Sequence, residues 1–530
     1  MRHWLRGAAG VILATSLSLM GCNEPLEKDE RSPEPEPQSL KEVGDWEPGL
    51  LAQCPIITDG SSEAECGTLE SFDLSACDAE SFEALDAQGA FTMHVVSNDD
   101  PDNFNETSTL KFLPDGRVAY GTNFIMKETR VDSRTFYLST SGTMQDGRKV
   151  RQTLVGCKAQ GPNRVTGCRV TCLGGKPTYQ LTFEAEKVVR RPGESESSGL
   201  SLIGEARVTH GDAVDVYVTK GHAFVVAITH VTGPGGLFVY DLSDRTSPRL
   251  VKSITFPGDS YWNGVWAKDD ALYVASAAKG VIVFDISNPA DPQFLHSLPG
   301  NGAINVHTVF VDGNRLYAMS PSPGTETLIF DVTNAKQPVL LNRYQVPGVD
   351  PSIATFPHDA FAQGDRLYLN HWRFGFLILD VSDPTNVVKL GEYTYPRATS
   401  HTNRVGRFGD RVIAFEGGED WGAHLRVLDI TNPAQVKLIG EYRLRPGASI
   451  HNMELAGDRL YLAHYQDGVR VLDVSRPEHP REVAYYNTWR ETDPYRGLSF
   501  FDGAIGIRRP GDGYLYAIDL SRGLLIFPEP

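Results

Sequence analysis

From about residue 200 onward the chain repeats itself. An apolar run closed by aspartate and a polar turn reads Leu237-Phe238-Val239-Tyr240-Asp241, then Val281-Ile282-Val283-Phe284-Asp285, and recurs at Asp331, Asp380, Asp429 and Asp473. The intervals between these aspartates are 44, 46, 49, 49 and 44 residues. A period in the forties carried by several short strands predicts the blades of a β-propeller. In the unit ending near Val346, strand A spans 306–311, a turn follows at Asp312-Gly313-Asn314, and B, C and D span 315–319, 328–330 and 339–346. C lacks alternation, as expected of a strand covered on both faces. The aspartate closing it reads as a turn former that accepts from the backbone, not as a catalytic acid.

Six complete units begin near Ala213, Asn263, Val306, His358, His401 and His451. A seventh stops after its C strand at Arg522-Gly523-Leu524-Leu525-Ile526-Phe527. Its missing D strand is expected from the other end of the region, because Ser201-Leu202-Ile203-Gly204-Glu205 matches Lys437-Leu438-Ile439-Gly440-Glu441. The fold class is therefore all-β: a seven-bladed propeller over 201–530, closed by its N-terminal strand so that no sheet edge is left raw. These repeats resemble the LVIVD-repeat family of bacterial and archaeal cell-surface proteins. The resemblance implies a propeller and an exterior location, and carries no settled activity.

The other end of the chain predicts export. A basic start, Met1-Arg2-His3-Trp4-Leu5-Arg6, leads into an apolar stretch from Gly7 to Met20, too short to span a bilayer and right for a signal peptide. It ends Leu19-Met20-Gly21-Cys22, which resembles the lipobox of bacterial lipoproteins. That resemblance implies a signal peptide over 1–21, a mature N-terminus at Cys22 bearing diacylglycerol and an N-acyl chain such as palmitate, and a place in the bacterial envelope, at the outer membrane or cell surface. Residues 22–50 are acidic and proline-rich, and are expected to form a disordered tether.

No cysteine occurs after residue 172. Without Cys22, six remain: Cys54, Cys66, Cys77, Cys157, Cys168 and Cys172. An even number in an exported chain predicts three disulfides, with the pairing open. Short alternating stretches separated by Asp-Gly turns make 51–190 a small antiparallel barrel or sandwich. Residues 191–200 read as a linker.

With 50 Lys+Arg against 67 Asp+Glu the net charge is −17, which excludes nucleic acid as a partner. Chemistry is expected on one propeller face, where strand A begins and B ends. His307, His358, His401 and His451 begin A in four successive blades, Asp215 and Asn263 hold the comparable places, and His371 and His464 end B. Trp262, Trp372, Trp421 and Trp489 are expected in loops of this face, with Glu419 and Asp420 nearby. The histidines serve either as hydrogen-bonding struts between blades or as ligands for Cu, Fe or Zn. Two functions compete. The first is a lipid-anchored, non-catalytic surface protein that binds an extracellular protein, glycan or small molecule through Trp262, Asn263, Trp372, Trp421, Trp489 and Asp215. The alternative is an extracytoplasmic metalloenzyme with the histidine ring as its centre.

Overall fold

The structure, a computed structural model, describes residues 39–57, 66–102, 104–122, 124–300, 303–349 and 355–530. The expected signal peptide, Cys22 and most of the tether lie outside these residues. Nine antiparallel strands form the first body: β1 (Gly89–Ser97), β2 (Asn105–Phe112), β3 (Val118–Tyr120), β4 (Phe124–Met126), β5 (Glu128–Asp132), β6 (Thr135–Thr143), β7 (Lys149–Ala159), β8 (Arg164–Leu173) and β9 (Lys176–Lys187). Their order is β4-β3-β2-β1-β9-β8-β7-β6-β5. The two end strands are halves of one bent strand, joined at Lys127, whose N–H donates to Ser139 O at 2.8 Å. The ladder therefore closes on itself as a barrel.

Inward-facing Phe91, Met93, Leu110, Leu138, Leu154 and Phe183 fill one part of the barrel. Phe82, in a 3-10 helix (Ala79–Ala84), packs against Phe136 there, with ring centroids 6.3 Å apart. Residues 52–57 and 66–77 contain little regular structure and are stapled over the outer faces of β7 and β8. The bridges are Cys54–Cys168, Cys66–Cys172 and Cys77–Cys157, which settles the pairing. They close loops of 80 to 114 residues, each worth roughly 4–5 kcal/mol in the chain-entropy account. Such staples suit a segment with almost no ladder of its own.

The second body is a propeller of seven four-stranded antiparallel blades: 212–254, 262–298, 308–344, 359–393, 400–442, 453–486, and 504–528 completed by 204–206. C strands such as Gly236–Asp241 and Gly280–Asp285 are buried at every residue but the closing aspartate. All six repeating aspartates do the same thing: Asp241, Asp285, Asp331, Asp380, Asp429 and Asp473 each accept the backbone N–H two residues on, at 2.7–3.0 Å. The closing strand forms as expected, with Gly204 paired to Ile526 and Ala206 to Leu524.

One glycine explains the match that locates that strand. Gly391, Gly440 and Gly204 hold the same place in their D strands, and the C–D turn of the next blade comes close to each. A Cβ there would lie 1.7, 2.7 and 2.0 Å from Pro433 O, Glu478 O and Arg245 O. Gly204 thus receives blade 1, as a blade 7 residue must.

Two boundaries differ from expectation. The stretch from Ser39 is not part of a free tether but a strap on blade 5. Leu40 N donates to Leu438 O at 2.8 Å, and Arg426 Nε pairs with Glu42 while its Nη2 pairs with Asp45, each at 2.8 Å. Composition marked this run as an acidic, proline-rich tether, yet its Glu42 and Asp45 are paired with Arg426, 384 residues beyond Glu42 in sequence. The expected linker is likewise docked. Ser197–Ser198 adds a fifth strand to blade 6, and Glu194 accepts from Arg470 at 2.8 Å.

The barrel sits on the propeller through the outer face of β1 and β2. Asn105 Nδ2 donates to Asp420 at 3.0 Å, and His94 stacks on Trp421 with centroids 5.4 Å apart.

Candidate metal centre in the propeller channel

The innermost strands of the blades pack side by side around the axis, so a side chain at the start of A points into a channel shared by all seven. Counted back from the A–B turn, His307, His358 and His451 each stand six residues before a glycine, Gly313, Gly364 and Gly457. His401 stands eight before Gly409. Its strand (Ser400–Phe408) is longer and carries a β-bulge between Ser400 and Thr402, and bulges re-aim side chains. Asn263 occupies a comparable bulge in blade 2, between Trp262 and Gly264.

All four imidazoles meet. Centroids of successive rings are 4.3, 4.1 and 4.3 Å apart from His307 through His358 and His401 to His451. Nε2 of His307 lies 3.1 Å from Nε2 of His358. Glu419, at the end of B in blade 5, reaches into the same space. Its Oε2 is 3.5 Å from His401 Nε2 and 3.9 Å from His358 Nε2, and its Oε1 is 3.8 Å from His451 Nε2. One ligand atom each from His358, His401 and Glu419 fall within 4.8 Å of one another.

The surroundings fix which atoms are available. His451 Nδ1 is 2.7 Å from Ile505 O, so that nitrogen carries the proton and Nε2 presents a lone pair to the cluster. Neither ring nitrogen of His401 makes a hydrogen bond among the described residues, nor does His358 Nδ1. Burial pushes every one of these imidazoles toward the neutral form. His307 falls to about 4 and His451 to about 3, while His358 and His401, which also repel their neighbours' charge, lie well below the ordinary value. Burial pushes the Glu419 carboxyl up to about 8, against the hydrogen bond it accepts from the Tyr465 hydroxyl. A buried carboxyl beside four neutral nitrogen donors is a site that lacks positive charge.

Walls come from the B–C turns. Trp372 stacks on His358 at 5.1 Å and on Phe356 at 5.4 Å, and Tyr465 meets His451 edge-on at 5.2 Å. Both hold positive φ, 36° and 33°, a strained backbone that aims each ring at the channel. On the other side of the imidazoles a cavity of about 30 Å3, water-sized, is lined by Asp215, Asp359, Arg404 and Arg508. Burial raises Asp359 to about 6, and Arg508 pairs with Glu454 at 3.0 Å.

Several expected site residues lie elsewhere. Trp262 is fully buried against Phe256 and Phe284 as core. Trp421 is the seat of the barrel's His94, and Trp489 packs under the Arg496 guanidinium at 4.9 Å. The expected four-tryptophan recognition face therefore does not form, and Trp372 alone of the four lines the cluster. Asp215 is structural: it accepts from Val216 N and Val265 N at 2.8 and 3.0 Å, tying blade 1 to blade 2. Asn263 Nδ2 lies 3.3 Å from His307 Nε2. His371 and His464 stay in their turns, beside Thr355 at 3.0 Å and Asp467 at 3.7 Å. Glu419 was visible as a polar residue of this face but not as a member of the histidine set. The signal was the substitution of Glu419-Asp420 at the turn where blades 4 and 6 carry His371-Trp372 and His464-Tyr465.

The family model of the LVIVD repeat matches residues 210–255, 260–298, 359–395, 419–443 and 449–488. No curated protein sequence matches the chain. Among solved structures it is similar to the computationally designed Ika8 protein, at 11% identity over 62% of this chain and 99% of that one, with a TM-score of 0.43. It is also similar to the β-propeller domain of Cps50 (Swd1) from Myceliophteria thermophila, at 12% identity over 62% and 100%, TM-score 0.44. The WD40 β-propeller domain of Doa1 matches at 12% identity over 63% and 98%, TM-score 0.45.

Proposed function

We propose that this chain, a propeller built with five LVIVD repeats, is an exported and lipid-anchored protein that binds one transition-metal ion in its central channel. The observation that carries the reading is His401, buried with both ring nitrogens unpartnered among the described residues and with a carboxylate oxygen 3.5 Å away. Leaving buried polar atoms unpaired costs roughly 1–3 kcal/mol each, a cost that a bound cation removes. The spacing fits coordination. For bonds of about 2.0–2.1 Å, ligand atoms around a tetrahedral ion stand about 3.4 Å apart. The separations of 3.1, 3.5, 3.8 and 3.9 Å straddle that value before any ion draws the ligands in. Nitrogen-rich donors with one carboxylate suit zinc or copper. Export is supported by the signal-like N-terminus and by three disulfides, which persist in oxidising compartments.

The test is metal stoichiometry. Full-length protein produced with export, stripped by chelator and titrated with Zn2+ or Cu2+, is expected to take up one equivalent per chain with a raised thermal midpoint. Glu419→Gln and His401→Ala should remove both effects. A wild-type protein that melts cooperatively yet retains no zinc, copper or iron after dialysis would leave the histidines as struts between blades and end the proposal.

A further inference from the structure

The barrel has one plugged end and one open end. Phe82 and the packed core close the first. At the other, side chains on the same inward register stop short of meeting and leave a cavity of about 690 Å3. That lies within the roughly 300–1,000 Å3 of small-ligand sites. Its rim is apolar and wet: Phe124, Ile125, Met144 and Tyr179 are 49, 41, 43 and 65% exposed. Exposed large apolar side chains gathered around one opening mark a binding surface more often than chance.

Two polar groups wait inside. Tyr120, only 4% exposed, carries a hydroxyl with no hydrogen-bond partner among the described residues. Arg169 crosses the Tyr120 ring at 5.5 Å and pairs through Nη1 with Glu106 at 3.0 Å, while its buried Nε has no partner among the described residues. Both unpaired groups are donors, in a cavity whose other charged residues are Glu106, which Arg169 pairs with, and Lys127, whose ammonium donates to Ser141 O; the remaining walls are Phe, Ile, Val, Met and Tyr with a few hydroxyls and an amide. Access is clear of the propeller, which holds the outward side chains of the same strands, such as Asn105 and Lys111.

We propose that the open end of the barrel binds a single-chain amphiphile with a carboxylate head, of the fatty-acid class. The tail lies along the apolar wall and the head accepts from Arg169 Nε and Tyr120 Oη. A blind socket bounded by strands admits a slender molecule and no folded partner. This site is independent of the channel histidines.

Dansyl-undecanoic acid added to the full-length exported protein should give saturable, blue-shifted emission at one site per chain. Oleate should displace it, whereas methyl oleate and lysophosphatidylcholine, which lack a free carboxylate, should compete at least about tenfold more weakly. Arg169→Met should weaken the probe about tenfold or more. Thr140→Trp, which fills the cavity, should abolish binding with the thermal midpoint unchanged; if that variant fails to fold, Gln152→Phe takes its place. Unsaturable emission, or full binding by a folded cavity-filled variant, overturns the site. Equal competition by oleate and its methyl ester overturns the carboxylate head.

Discussion

Arg426 is the best place to perturb the chain outside both proposed sites. Its side chain is fully buried beneath the strap, 3.5 Å from the centroid of Tyr395, with Asp45 and Glu42 each at 2.8 Å and Glu416 at 3.9 Å. Arg426→Met keeps most of the volume and removes the charge. Orphaning one member of a buried pair costs about 3–5 kcal/mol, because the partner's desolvation is then uncompensated. Here the loss has a ceiling. The strap can lift off and hydrate Asp45, so the effect appears as local release and not as unfolding of the propeller. At about 1.4 kcal/mol per decade, the open population should rise by roughly two to three orders of magnitude. The readout is tryptic cleavage after Lys41, which is exposed but flanked by docked backbone, followed by mass spectrometry under conditions where reclosing outruns cutting. Asp45→Asn in the Arg426→Met background should recover part of the protection, since Glu42 and Glu416 stay unpaired but the buried Asp45 charge is gone. Acid should loosen the same contact. Burial alone would raise Asp45, but Arg426 and His424 outweigh it and hold the carboxyl at about 2, below its ordinary 3.8. Its stabilisation, about 2 kcal/mol, is therefore complete above pH 4 and lost as pH falls toward 2. Equal cleavage rates in wild type and Arg426→Met, or strictly additive effects in the double variant, would refute the pairing as the strap's anchor.

Gly204→Ala places a Cβ 2.0 Å from a backbone oxygen of blade 1, so it should lower the propeller's thermal midpoint by several degrees, whereas Gly221→Ala, with open space around it but the same positive-φ strain as other turn glycines, should cost much less. If the two variants melt alike, blade 7 is not sealed through that contact. Cys22→Ser should move the protein from the detergent phase to the aqueous phase in a Triton X-114 partition; an unchanged distribution removes the lipid anchor.

The architecture was legible because each blade restates it. Six aspartates making one turn contact, and a D-strand glycine repeated at Gly391 and Gly440 and again at Gly204, are local signals that survive without knowledge of the fold. What failed was anything decided across the ring or between the two bodies. Residues 39–50 read as tether because they close a polar, acidic and proline-rich run with little apolar surface to bury, and the partner that docks them, Arg426, lies in a strand hundreds of residues later. The tryptophans were grouped by the loops they neighbour, but a strand's first residue faces either the core or solvent according to register, and Trp262 faces the core. Trp421 was claimed by a surface of the barrel that no propeller pattern could announce.

Rotational repetition itself explains why the histidines converge and why their number is not the number of ligands. In a ring of equivalent blades, equal register brings side chains to equal distance from the axis, so a polar residue recurring at the start of A must find its partner across the channel. Backbone symmetry alone would make such a layer redundant, each imidazole paired with the next. Here the symmetry is broken where it matters. Ile505 O fixes the tautomer of His451, a bulge in the longer first strand of blade 5 re-aims His401, and Glu419 stands where blades 4 and 6 carry the turn residues His371 and His464, supplying an oxygen. Three departures from the repeat, in adjoining blades, meet at one point. A network kept only to hold blades together has no use for a carboxyl that burial raises to about 8, whereas a cation beside it would make the charged form the favoured one.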